Sequence, residues 1–150
     1  MKHTTSAERT ILFGTDGIRG RADVFPFDDY TVMRIGYAIA LWARGKYAVE
    51  HPKILVGMDT RISGPRIEQA LITGLVHAGA VVVDAGVVPT PAVCNLATTD
   101  VSFHAGVVIS ASHNPYFDNG IKVIDAKRCK LTKDDEIRLA ALVNGAPSAS

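Results

Sequence analysis

A chain of 150 residues that is 47% hydrophobic and 21% charged has the length and composition of one domain able to bury a core. Its 16 Lys and Arg nearly cancel its 15 Asp and Glu, which excludes a global basic field that would draw it to nucleic acid or an anionic membrane, so any bound anion must be held by a local site. No apolar run approaches the roughly 20 residues of a membrane span, the polar opening MKHTTSAERT lacks a signal-peptide core, and Cys94 and Cys129 fit no zinc spacing and make a disulfide framework unexpected, which points to a reducing cytoplasm.

Residues 1–11 are expected to form a flexible leader. The first helix is expected over 28–46, with Asp28 or Asp29 as its cap and Gly45 as its stop. Val32, Met33, Ile35, Ile39, Leu41 and Trp42 cover more than one stripe of it, so it is either wedged inside the domain or packed on another subunit. Residues 53–59 (KILVGMD) form an apolar run between polar turns and predict a buried strand. A helix follows, with Ser63 as cap, Pro65 in its first turn, and Ile67, Ala70, Leu71, Gly74, Leu75 and Ala78 at helical spacing up to Gly79.

Residues 80–84 (AVVVD) predict the next strand. Pro89 and Pro91 mark a turn, and Thr90 and Pro91 start a short helix over 92–98. Two further strands are expected at 106–110 (GVVIS) and 121–125 (IKVID), the latter entered through an Asn119-Gly120 turn. Thr132 caps a last helix whose first turn holds Asp134, Asp135 and Glu136, and residues 146–150 read as the start of a linker. Strands alternating with helices predict a three-layer α/β/α domain around a mixed, mainly parallel four-stranded sheet, with ligands at the carboxyl ends of the strands.

The third expected strand ends in the most unusual segment of the chain, GVVISASHNPYFDNGIK at 106–122. Ser110 and Ala111 are small enough to leave access to the Ser112 hydroxyl, and Pro115 keeps the loop from becoming a helix. A hydroxyl at the open end of a strand can accept a phosphoryl group, although these residue types by themselves also make an ordinary turn.

ISASHNP followed by DNGIK resembles the signature loop of the α-D-phosphohexomutases. The resemblance implies that Ser112 carries the phosphoryl group in the resting enzyme, that His113 and Asn114 arrange the loop and its phosphate, and that Lys122 is the general acid/base. The alternative for Lys122 is a solvated strand lysine. FGTDGIRG at 13–20 resembles the family's amino-terminal signature, in which Arg19 reaches the phosphoserine and Thr15 and Gly17 support the phosphate. Arg19 could instead pair with Asp16 or Asp23. GMDTRISG at 57–64 resembles a family loop in which Arg61 and Ser63 are structural or near the site.

The resemblance spans 12–143 and implies that residues 12–145 are the family's first domain, without counterparts of its second, third and fourth. The implied reaction moves a phosphoryl group between Ser112 and a hexosamine phosphate through a bisphosphate, with a glucose or mannose phosphate as the alternative sugar. The FGTDG opening favours the hexosamine branch. Mg²⁺ is the implied cofactor, and Ser112, through its phosphate, is its one contact in this chain, because the family's aspartate ligands lie in its second domain. The fragment is therefore expected to be an incomplete catalyst by itself, completed by the missing domains and their sugar phosphate. A homodimer or a non-catalytic partner module, formed through the first helix around Ile35 and Trp42, is the competing expectation.

Overall fold

The computed structural model describes residues 9–145; the ends at 1–8 and 146–150, where most of the expected leader and the linker fall, lie outside the described residues. Nine elements follow in order: β1 (Ile18–Arg21), α1 (Asp29–Tyr47), β2 (Lys53–Met58), α2 (Gly64–His77), β3 (Val81–Val87), α3 (Thr90–Thr99), β4 (Ala105–Ile109), β5 (Asp118–Asp125) and α4 (Lys133–Gly145). They form one five-stranded sheet in the order β1-β5-β4-β2-β3. β2 pairs in parallel with β3 and β4, whereas β5 runs antiparallel to β4 and β1, so β5 alone opposes the other four.

Strand periodicity divides the core between two layers of helices. Ile54, Val56, Val107, Ile109, Ile121 and Val123 face the side covered by α1, α2 and α4. Leu55, Val108 and Ile124 face the other side, against Val93 and Ala97 of α3. The expected three-layer α/β/α arrangement is the observed one, with five strands rather than four. The additional strand is β1, drawn from the FGTDGIRG segment, where Ile18, Arg19, Gly20 and Arg21 pair with Ile121, Gly120, Asn119 and Asp118.

Several local expectations change. Asn119 and Gly120 lie inside β5, both buried, and a Cβ at Gly120 would collide with the Ser110 carbonyl oxygen. Gly45 lies within α1, which ends instead at Ala48 in the left-handed region at φ 51°. Asp28 caps α1 as expected, accepting from the Thr31 amide at 2.9 Å. Ser63 makes no capping bond to α2; its hydroxyl accepts from Asn119 Nδ2 at 2.8 Å and so ties the helix to β5. Thr132 and Asp135 cap α4 reciprocally, each backbone amide donating to the other's side chain, at 3.0 and 3.1 Å. Within the expected leader, Ile11 is buried and bonded in both directions to the side chain of Asn144, at 3.0 and 2.9 Å.

Cys94 and Cys129, expected to be unpaired, form a disulfide that links α3 to the turn after β5, with their Cα atoms 5.6 Å apart. Most of the apolar surface of α1 is covered within the domain, while Tyr30 and Met33 stay exposed. Ile35 and Trp42 are fully buried among the domain's own side chains. Gly36 and Gly74 let α1 and α2 touch backbone to backbone, because a Cβ at either would fall on a carbonyl oxygen of the other helix.

Candidate active site

β2 and β4 are adjacent parallel strands, and their carboxyl ends deliver two loops side by side. From β2 come Asp59 and Arg61; from β4 come Ser110 and Ser112. The Asp59 amide donates to the Ile109 carbonyl at 3.1 Å, which sets the two loops in register.

Arg61 organises the serine loop. Its Nη1 donates to the carbonyl oxygens of Pro115 (2.6 Å) and Asp118 (3.1 Å), and its Nη2 to those of Ser112 (2.9 Å) and Asn114 (3.0 Å). Its Nε donates to Asp59 Oδ2 at 3.1 Å. The planar fork of a guanidinium suits this task, since it presents fixed donors in several directions. Asp59 Oδ2 also accepts from the Ser110 hydroxyl at 2.8 Å, and Ser110 Oγ accepts from the Ser112 amide at 3.0 Å.

These bonds hold Ser112 in a conformation that serine rarely adopts. Its φ is 54°, in the left-handed region, at a cost of about 1–2 kcal/mol for a residue with a Cβ. The result is an exposed serine on a loop whose backbone is fixed from behind. Asn114 continues the network, donating from Nδ2 to Asp118 Oδ2 at 3.1 Å and accepting from Arg19 Nη1 at 3.4 Å. Arg19 thus approaches the loop through Asn114 rather than pairing with Asp16 or Asp23; Asp23 pairs with Arg21. His113 is exposed, and its ring makes no hydrogen bond among the described residues.

The remaining expected residues gather along β5. Thr15 and Asp16 form the tip of a turn closed by two backbone bonds between Gly14 and Gly17, at 3.3 and 3.0 Å. Gly17 has φ 76°, and a Cβ there would fall on the Ile121 carbonyl oxygen, so only glycine lets the turn lie against β5. Lys122, half-buried and paired in register with Val108, lines a cavity of about 220 Å³ with Thr15, Gly17, Lys130 and Glu136. The structure therefore joins Arg19, Arg61, Ser112 and Asn114 by hydrogen bonds and places Lys122, Thr15 and Gly17 together along the neighbouring strand.

Asp59 and Asp118 are supporting residues that sequence reasoning did not single out, and Ser110, expected only to leave access to Ser112, supports the loop as well. Their one sequence signal is position, an acid two residues before Arg61 and a hydroxyl two before Ser112. The described residues contain no cluster of three or more His, Cys, Asp or Glu able to hold a metal, and Asp59 and Asp118 already serve Arg61, Ser110 and Asn114. No helix among the described residues is long and apolar enough to cross a membrane.

Fold and loop together define a class, an α/β/α domain that presents a rigidly backed serine at the carboxyl ends of its strands. Residues 10–149 match the family described as "Phosphoglucomutase/phosphomannomutase, alpha/beta/alpha domain I". The chain is 47% identical over 128 residues to a phosphoglucosamine mutase of Campylobacter jejuni strain 81-176, covering 85% of this chain and 28% of that protein. It is 52% identical over 122 residues to a phosphoglucosamine mutase of Azoarcus sp. strain BH72, covering 79% and 27%. The solved structure of a phosphoglucomutase/phosphomannomutase family protein from Burkholderia thailandensis superposes with a TM-score of 0.73 at 28% identity, covering 88% of this chain and 29% of that one. The chain belongs to the phosphoglucomutase/phosphomannomutase family, as its first domain, and spans less than a third of the length of these relatives.

Proposed function

We propose that this chain is the phosphoserine-bearing domain of a phosphoglucosamine mutase, in which Ser112 exchanges a phosphoryl group with glucosamine 6-phosphate and glucosamine 1-phosphate through a bound bisphosphate. The observation that carries this reading is the grip of Arg61 on four carbonyls of the Ser112 loop, which leaves the serine exposed while fixing its backbone. Phosphoryl transfer depends mainly on positioning and electrostatics, so a nucleophile on a loop that cannot drift is the feature such a site needs. The names of the relatives support the choice of sugar.

In the proposed cycle a sugar hydroxyl attacks the phosphorus on Ser112. The new O–P bond forms as the Ser112 Oγ–P bond breaks, Oγ keeps the bonding electrons, and the proton of the sugar hydroxyl is carried to Oγ, with Lys122 as the proposed carrier. After the bisphosphate turns over, Oγ attacks its other phosphoryl group and the proton moves the opposite way. A phosphoserine brings a charge of about −1.5 to −2, which in this reading Arg19, Lys122 and His113 oppose. Mg²⁺, implied by the family, would take its protein ligands from outside this chain.

The test is made on the full-length protein that contains this domain. Peptide mapping by mass spectrometry is expected to find one phosphoryl group on Ser112, and Ser112→Ala to abolish both the modification and turnover with an unchanged unfolding midpoint. Turnover retained by Ser112→Ala would overturn the reading. Faster turnover of glucose or mannose phosphates than of glucosamine phosphate would keep the chemistry and reassign the sugar.

A further inference from the structure

A groove of about 670 Å³ runs between α2 and the edge strand β3, apart from the serine loop and from the cavity at Lys122. Pro65, Ile72 and Val76 give it apolar walls, and Glu68, His77 and Asp84 supply its ionisable groups. Glu68 is 6% exposed, and its Oε1 is buried without a hydrogen-bond partner among the described residues. An acceptor left in this state costs about 1–3 kcal/mol, and more when charged, so Oε1 calls for a donor that the described residues do not supply.

Among the described residues, no Lys or Arg lines the groove to supply that donor. Arg66, two residues before Glu68, is committed to Asp29 and to the Phe27 and Ala22 carbonyl oxygens. Burial, followed by the hydrogen bond and charge of Asp84, pushes Glu68 up to about 7. The edge of the groove is also open, because β3 is the last strand of the sheet and its Val81 and Val87 are exposed.

We propose that this groove binds an ammonium or guanidinium group carried on an alkyl stem, the cation pairing with Glu68 and Asp84 and the stem lying along Ile72 and Val76. Long basic side chains and alkylamines share this chemistry, an apolar stem ending in a charged donor. The proposal does not depend on the mutase reading. Binding expels the proton that Glu68 holds beside Asp84, so affinity rises as pH rises through about 7. His77 is the remaining ionisable side chain on the groove.

The isotope-labelled 150-residue chain would be titrated with n-butylammonium, with n-butanol, and with a capped peptide carrying one lysine between β-branched residues. Saturable shifts are expected at the Glu68 and Asp84 carboxyls and at the Ile72 and Val76 methyls. Butylammonium should bind roughly threefold tighter above pH 7 than below it, and Glu68→Gln or Asp84→Asn should each weaken it roughly tenfold, about 1.4 kcal/mol. Peptide binding at least roughly tenfold tighter would identify a protein segment along β3 as the source; equal affinity would identify a free alkylamine. Absence of saturable shifts with wild-type protein, butanol binding as well as butylammonium, or full binding by both variants would overturn the proposal.

Discussion

Arg61 and Ser112 are joined through the backbone: Arg61 Nη2 donates to the Ser112 carbonyl oxygen at 2.9 Å, and the other donors of the same guanidinium hold the carbonyls of Asn114, Pro115 and Asp118. One side chain from the β2 loop thus sets the conformation of a nine-residue segment, from Ser110 to Asp118, that contributes little apolar burial of its own. Lysine in its place keeps the charge but is a compact donor that cannot span these acceptors. Arg61→Lys is therefore expected to cost about 2–3 kcal/mol in urea unfolding, with amide exchange accelerated over 111–118 relative to the rest of the sheet. An unchanged urea midpoint with protected loop amides would show that the loop holds itself.

The contact between Gly36 and Gly74 sets how closely α1 approaches α2. A Cβ at Gly74 would fall on the Met33 carbonyl oxygen, an atom of the backbone that cannot rotate away. Moving α1 aside costs about 3 kcal/mol by the usual penalty for overpacking, and alanine's better helix propensity returns about 1 kcal/mol. Gly74→Ala is expected to lose about 2 kcal/mol net. Gly145→Ala, with nothing within 4 Å of the added Cβ, is the control and should stay within about 0.5 kcal/mol. Equal midpoints for the two variants would contradict the backbone contact.

What could be read ahead of the structure followed the strength of the local pattern. β2 and β4 are largely apolar runs buried on both faces, and such runs announce themselves, as does the stretch 121–124 of β5 in spite of Lys122. β1 does not. Its four residues alternate Ile and Gly with two arginines, and it is a strand only because β5 pairs with it. Asn119-Gly120 carries a strong turn signal, but burial of Asn119 against Ser63 and the close approach of Ser110 to Gly120 override it. The Cys94–Cys129 pair was hidden by a sequence separation of 35, which α3 and the turn after β5 fold back on itself. Ser112 was visible through its motif, whereas the reach of Arg61 to four carbonyls is a property of three dimensions and has no trace in spacing.

Ser63 offers a test of one such override. As a cap, its hydroxyl would serve α2 alone; in the structure it accepts from Asn119 Nδ2, a group on a fully buried residue. Ser63→Ala removes the acceptor that this amide has among the described residues, at about 1–3 kcal/mol for a buried unsatisfied donor. In a double-mutant cycle with Asn119→Ala, the coupling energy is expected to reach about 1 kcal/mol or more. Additive losses would return Ser63 to an ordinary helix-end role.

Asp135 links α4 to α1 through charge, and acid should reveal it. Burial alone would raise its carboxyl, but hydrogen bonds from Lys46, from the amide and hydroxyl of Thr132, and from Trp42 outweigh burial and bring it down to about 2. The distances agree, with Lys46 Nζ at 2.8 Å and Trp42 Nε1 at 3.1 Å. Because the folded value lies below the unfolded one, near 3.9, the folded state binds fewer protons. The stabilisation, about 2 kcal/mol, is thus present above about pH 4 and lost as pH falls towards about 2. Asp125, which shares Lys46 and is also lowered, with burial opposing and the Tyr47, Lys127 and Lys46 interactions prevailing, contributes in the same sense, so the wild-type curve alone would mix the two. The difference between wild type and Asp135→Asn separates them. That gap is expected to be about 2 kcal/mol near pH 6 and to close between about pH 4 and pH 2, and a gap that stays constant across this range would show that the carboxylate charge of Asp135 does not hold α4 in place.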